Sequence, residues 1–180
     1  MAVIRAFKGQ SPKFGAEVFV ADNATLVGAV EVGDQVSIWY GAVLRGDVGR
    51  IVIGARTNIQ DNATIHMTHR VSDAQVGSDV IIGHNAVIHG AVVEDGALLG
   101  MQAVVLDNAR VGAGSWVAAG SVVPPNLLVP PGVLVRGSPA KVVRELRAEE
   151  LEWAKQAVLR YVDLAREHRA EQLAAGIRLP

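Results

Sequence analysis

Four of the chain's five histidines fall within residues 66–89, where "TIH" ends on His66 and "GHNAVIHG" carries His84 and His89. Neutral imidazoles are metal ligands, and the chain contains no cysteine. Disulfides and thiolate ligands are therefore excluded, so a bound cation would rest on histidine and carboxylate. Three neutral nitrogens leave a divalent ion with its full charge and an open position, where the pKa of water falls from about 15.7 to about 7. Hydroxide available at neutral pH attacks electrophilic carbon. That chemistry requires three rings to converge, and the elements between them must bring this about.

Those elements are set by a six-residue repeat. Aliphatic residues recur at Val20, Leu26, Val32, Ile38 and Leu44, then at Ile53, Ile59 and Ile65, then at Val76, Ile82 and Ile88. After a slip of one residue they resume at Val93, Leu99, Val105, Val111, Val117 and Val123. A helix needs spacings of three and four, and an ordinary strand alternates for one short run before turning. A signal that holds phase for so long predicts a solenoid: six residues per flat side, three sides per coil, and each aliphatic pointing into a triangular prism with small residues and Gly at its corners. The pattern resembles the hexapeptide-repeat, left-handed parallel β-helix, and that resemblance implies a mostly β fold of this kind with a C-terminal α-helix.

Two insertions interrupt the phase, within "RGDVGR" and "MTHRVSDAQ", and both are expected to emerge as loops beside a functional face. The Pro-rich "PPNLLVPPGVLVRGSPAK" after Val123 predicts an exit loop at which the repeat ends. From about Ala148, apolar residues Leu151, Ala154, Val158, Tyr161 or Val162, and Ala165 follow helical spacing with charges between them. The domain division is residues 1–137 for the β-helix with a short lead-in, and 138–180 for a segment whose amphipathic helix packs on it.

Dealt onto three sides, His66 directly follows Ile65 and His89 directly follows Ile88, one above the other on adjacent coils. Neighbouring strands lie about 4.8 Å apart, so both rings can reach one ion. Arg45 occupies the same column one coil earlier. His84 is two residues past Ile82 and leaves a different side, with Asp61 directly under it and Gln60 just before. Side chains on two sides of a convex body diverge, so the third ligand must come from a second copy. A closed three-fold ring repeats such a shared site three times, which predicts a homotrimer. His69, in the second insertion, is expected at the surface, and His168 on the helix is expected to be solvated.

Composition excludes several alternatives. Apolar residues make up 50% and aromatics 4%, and the formal net charge is -1, so no polyanionic partner such as nucleic acid is indicated. No apolar leader precedes a cleavage site and no run of 18 apolar residues occurs, so a soluble, cytoplasmic protein with no membrane partner is expected.

The motifs "RGD" at Arg45–Asp47, "NIQDNATIH" ending on His66, and "GHNAVIHG", with "GSPAK" before the helix, resemble the γ-class carbonic anhydrases across nearly the whole chain. The resemblance implies a homotrimer that interconverts CO2 and bicarbonate through a metal-bound hydroxide. His66 and His89 from one subunit and His84 from the next would bind Zn2+, with Fe2+ or Co2+ as alternatives, and no organic cofactor. By the same resemblance Gln60 orients the hydroxide, while Arg45, Asp47 and Asp61 form a charged intersubunit shell. Highly active members carry a longer, Glu-bearing loop after the first ligand and another Glu after the RGD motif. Here the loop has no Glu and the residue is Val48, which leaves proton export to His69, Asp73 or Tyr161. Two other functions fit the repeat: a CoA-dependent acyl- or acetyltransferase of the hexapeptide superfamily using one His as general base, with thioester hydrolysis at the metal as its variant, and a non-catalytic metal-binding or assembly trimer.

Overall fold

The computed structural model describes residues 1–177, so the last three residues of the expected C-terminal segment, 178–180, lie outside the described residues. The chain winds into a parallel β-solenoid of about seven turns with a single C-terminal helix. The first side stacks Phe19–Val20, Ser37–Ile38, Asn58–Ile59, Ile81–Ile82, Leu98–Leu99, Trp116–Val117 and Val133–Gly137 in parallel register. The second side carries Thr64–His66, Val87–His89, Val104–Val105 and Val122–Val123, and the third carries Ala74–Val76, Val92–Val93, Arg110–Val111 and Leu128–Val129.

All seventeen repeat positions point inward, none more than 5% exposed, because each places one branched aliphatic where the coils above and below supply the same. Left-handed backbone at the corners explains the polar residues there. Asn62, Asn85 and Gln102 stack at one corner with φ of 60°, 59° and 61°. Asn tolerates this region better than branched residues do. The glycine that so often follows the inward aliphatic answers to close stacking, since a Cβ on Gly54 would overlap the Gly77–Ser78 backbone of the next coil.

Two sequence expectations fail here. "RGDVGR" is not a loop: Val43–Ile53 is one eleven-residue strand that rounds the corner between the second and third sides, paired with Thr25–Val32 below it. The extra residues are absorbed as a bulge within the strand: Gly28 pairs with Gly46 and Val30 with Ile51, so residues 47–50 stand opposite Ala29 alone. Nor does the repeat end at Val123. Val129 and Val135 continue it at intervals of six and are 4% and 1% exposed. The prolines sit just past the inward residues, in turns. One coil below, the N–H of Leu106 reaches up to Val123 O and that of Gly112 to Val129 O, and the positions above these donors are Pro124 and Pro130. On the first side Val133–Gly137 folds back onto the antiparallel strand Ala140–Glu145.

The second insertion does form a loop, 67–73, pinned by the fully buried Met67. The helix, Ala148–Ala174, lies along the first side and buries Ala154, Val158, Val162 and Ala165. Among the described residues no helix is long and apolar enough to cross a membrane. His168 is not solvated. It is half-buried, its ring 5.1 Å from that of Trp39 and 5.5 Å from that of Phe19, with Nδ1 3.1 Å from Tyr40 Oη. It continues the helix's inward stripe past Ala165, onto an aromatic patch that a polar ring can join through one hydrogen bond.

The helix start is held by Glu150, which accepts two bonds of 2.7 Å from the Arg144 guanidinium and one of 2.8 Å from Arg147 N. These bonds hold its carboxyl far below the usual carboxylate range. A depressed folded-state pKa stabilises above the unfolded value and is lost as pH falls through the folded one. Helix ellipticity is therefore expected to decline on acidification below about pH 4.3, the ordinary Glu value. Glu150→Gln should remove that acid sensitivity while lowering the neutral-pH melting temperature; circular dichroism across pH checks both.

Candidate metal centre

The corner after the second side gathers Arg45, Asp47, His66, His89 and Asp107. Register alone does most of this work: His66 and His89 are Cα partners in the parallel ladder, and Leu44 pairs with Ile65 one coil below. The ring centroids are 5.3 Å apart, and His66 Nδ1 faces His89 Nε2 at 3.3 Å.

Carboxylates hold the other nitrogen of each ring. Asp47 Oδ1 is 3.0 Å from His66 Nε2, and its second oxygen accepts from Arg45 at 2.6 Å. Asp107 Oδ2 is 3.1 Å from His89 Nδ1, and Asp107 also accepts from the Ser72 and Thr68 hydroxyls. Burial tends to raise both carboxyls, but hydrogen bonds outweigh it and hold both below the ordinary range: from Arg45 and His66 for Asp47, and from Ser72, His89 and Thr68 for Asp107.

An ionised carboxylate only accepts, so His66 carries its proton on Nε2 and His89 on Nδ1. In neutral rings the two nitrogens that face each other then both present lone pairs, with no hydrogen between them. A cation resolves that opposition. Two ligand nitrogens about 2.1 Å from a tetrahedral ion stand about 3.4 Å apart, close to the separation observed. The donor set thus fits a divalent metal bound through neutral imidazoles with carboxylates behind them.

The first side holds a separate group. His84 Nδ1 is 2.9 Å from Asp61 Oδ2, one coil below, and the His84 side chain is 41% exposed. Gln60 is buried and donates to Asn58 Oδ1 at 3.1 Å. Gln60 and Tyr161 line one cleft of about 380 Å³ between the first side and the helix. Burial pushes the Tyr161 phenol up, and the charge of Asp61 adds to the shift. The structure therefore brings Arg45, Asp47, His66 and His89 together, and Gln60, Asp61, His84 and Tyr161 together, as two groups on different sides. Among the described residues of one chain, no three His, Asp or Glu side chains are placed to hold one metal ion. His69 is exposed, with Nδ1 3.2 Å from Val48 O. Asp73, also exposed, accepts from Arg50 N at 2.7 Å.

Sequence reasoning missed Asp107. A signal existed: it follows Val105 by two residues, on the coil directly above His89.

No protein-family model matches the chain. A mitochondrial γ carbonic anhydrase, number 2 of Arabidopsis thaliana, is 44% identical over 167 residues, 90% of this chain, which spans 60% of that protein's length. A solved hexapeptide transferase family protein from Anaplasma phagocytophilum superposes with a TM-score of 0.88 at 38% identity, over 92% of this chain and 97% of its own. A Bacillus cereus structure with a provisional acetyltransferase name gives 0.93 at 37% identity, over 95% and 99%. The solenoid and both solved relatives agree: the chain belongs to the hexapeptide-repeat, β-helix proteins, and over 90% of its length it is similar to a plant γ carbonic anhydrase.

Proposed function

We propose that the protein is a γ-type carbonic anhydrase-like metalloenzyme that catalyses reversible hydration of CO2, working as a homotrimer with sites shared between subunits. One observation carries this reading: the ring nitrogens of His66 and His89 face each other at 3.3 Å while a carboxylate stands behind each ring, Asp47 at 3.0 Å and Asp107 at 3.1 Å. His66 and His89 of one subunit and His84 of its neighbour would hold zinc, or iron or cobalt. When bound, the ion acidifies water and so supplies the nucleophile that CO2 requires.

The chain's own residues do the rest. Gln60, anchored by Asn58, orients the nucleophile through its amide. Asp61 fixes His84, and Asp47 fixes His66. Arg45, balanced by Asp47 and partly exposed, offers its remaining N–H groups to anionic bicarbonate. Tyr161 shares a cleft with Gln60 and, its phenol pushed up by burial, stays protonated at neutral pH. Proton export falls to the exposed His69 and Asp73 of the 67–73 loop, where His69 Nδ1 donates to Val48 O.

Stopped-flow CO2 hydration is expected from zinc-replete protein and to be lost on metal stripping. Equal rates in the two preparations would refute the reading. A second reading, acyl transfer from acetyl-CoA, draws on the names of the two structural relatives. Acetyl-CoA turnover that survives metal stripping would support it instead.

A further inference from the structure

We infer that Asp107 is a positioning residue that couples the 67–73 loop to the ligating nitrogen of His89. The inference rests on the metal reading above. Asp107 faces three ways at once: Oδ2 toward His89 Nδ1 at 3.1 Å and toward Thr68 Oγ1 at 3.1 Å, and Oδ1 toward Ser72 Oγ and, at 3.3 Å, the Thr68 backbone N–H. Each loop donor uses up acceptor capacity and fixes the carboxylate plane. The lone pair left for His89 then sets which ring nitrogen keeps its proton. With Nδ1 protonated, Nε2 is the donor atom aimed at His66.

Two neighbours show that the arrangement is built. Gly90 follows His89 with φ of +64°, and a Cβ there would collide with Ser72 Oγ, Ser72 Cβ and Asp107 Oδ1. Only a residue without a side chain lets the loop hydroxyl close on the carboxylate beside the imidazole. At the other end of the loop, buried Met67 follows His66 and ties the same segment to the partner ligand. The loop that lacks the family's Glu thus serves as a brace: Thr68 and Ser72 set Asp107, and Asp107 sets His89.

The histidine tautomers of metal-free wild-type protein decide the matter by 15N long-range correlation spectra, with no variant required. His89 is expected as the Nδ1–H form, whereas a predominant Nε2–H form overturns the inference. Zinc affinity by chelator competition gives the second readout. Asp107→Ala is expected to bind zinc about 10–100-fold more weakly than wild type. Asp107→Asn should recover part of the loss because its carbonyl oxygen still accepts from Nδ1, and Ser72→Ala should fall on the same side by a smaller factor. Wild-type and Asp107→Ala protein that bind zinc equally would refute the coupling. Wild type that takes up no zinc would refute the proposed function, and the tautomer spectrum would still decide the role of Asp107.

Discussion

His84→Ala protein is expected to lose its zinc and its CO2 hydration together while keeping its fold and its trimer. The side chain is 41% exposed in one chain and, among the described residues, bonded only to Asp61, so an alanine there leaves no cavity in the prism. His89→Ala should lose metal equally, for a different reason, since it removes one of the two facing nitrogens. Neither variant alone has a complete site. If ligands are drawn from two chains, an equal mixture of the two variants, exchanged and reassembled, rebuilds a site wherever an intact His66–His89 pair meets an intact His84. Random assembly makes that about one interface in four, so zinc should return to about a quarter of the wild-type content. No recovery after verified subunit exchange would place all ligands on one chain, contrary to the proposal. Dissociation of the His84→Ala trimer would refute the expectation that the outward position is structurally neutral.

Ile88→Ala is expected to cost about 2–5 kcal/mol of stability, the range for truncating a buried Leu or Ile to alanine. Ile88 is fully buried and stacks between Ile65 below and Val105 above. Collapse around the gap is limited because every coil is tied to both neighbours by backbone hydrogen bonds, so the void persists. Val142→Ala, at a position 53% exposed on the fold-back strand, should change stability by about 0.5 kcal/mol or less. Denaturant unfolding of both variants checks the contrast. The effect of Ile88→Ala should also reach the metal, since Ile88 holds the backbone on which His89 stands.

Much of this was legible in the sequence because the solenoid is nearly one-dimensional: a residue's number, taken modulo the coil, gives both its side and its height. That is why His89 over His66, and His84 over Asp61, follow from counting. Counting fails where the period does. Asp107 escaped because its partners Thr68 and Ser72 come from an insertion whose path no repeat dictates. The strand Val43–Ile53 escaped because an insertion suggests a loop, yet here the inserted residues bulge between two paired stretches of one continuous strand. His168 escaped because its side chain is polar, although its place after Ala165 on the helix stripe pointed inward. The Pro-rich coil was misread for a related reason: proline reads as a breaker, while the intervals from Val123 to Val129 to Val135 stayed at six.

Those same prolines bear on how the molecule finishes. On the second and third sides, the position just past each inward aliphatic is one that hands an N–H upward to the next coil, as Leu106 and Gly112 do. In the last coil these positions are Pro124 and Pro130, which have no hydrogen to give, and on the first side Ala140–Glu145 already occupies the edge. An eighth rung, whether from this polypeptide or from a stranger docking end to end, meets a rim with missing donors on two flanks and a reversed strand on the third. This rim is thereby a poor template for further coils, the end of a parallel solenoid being otherwise an open strand edge.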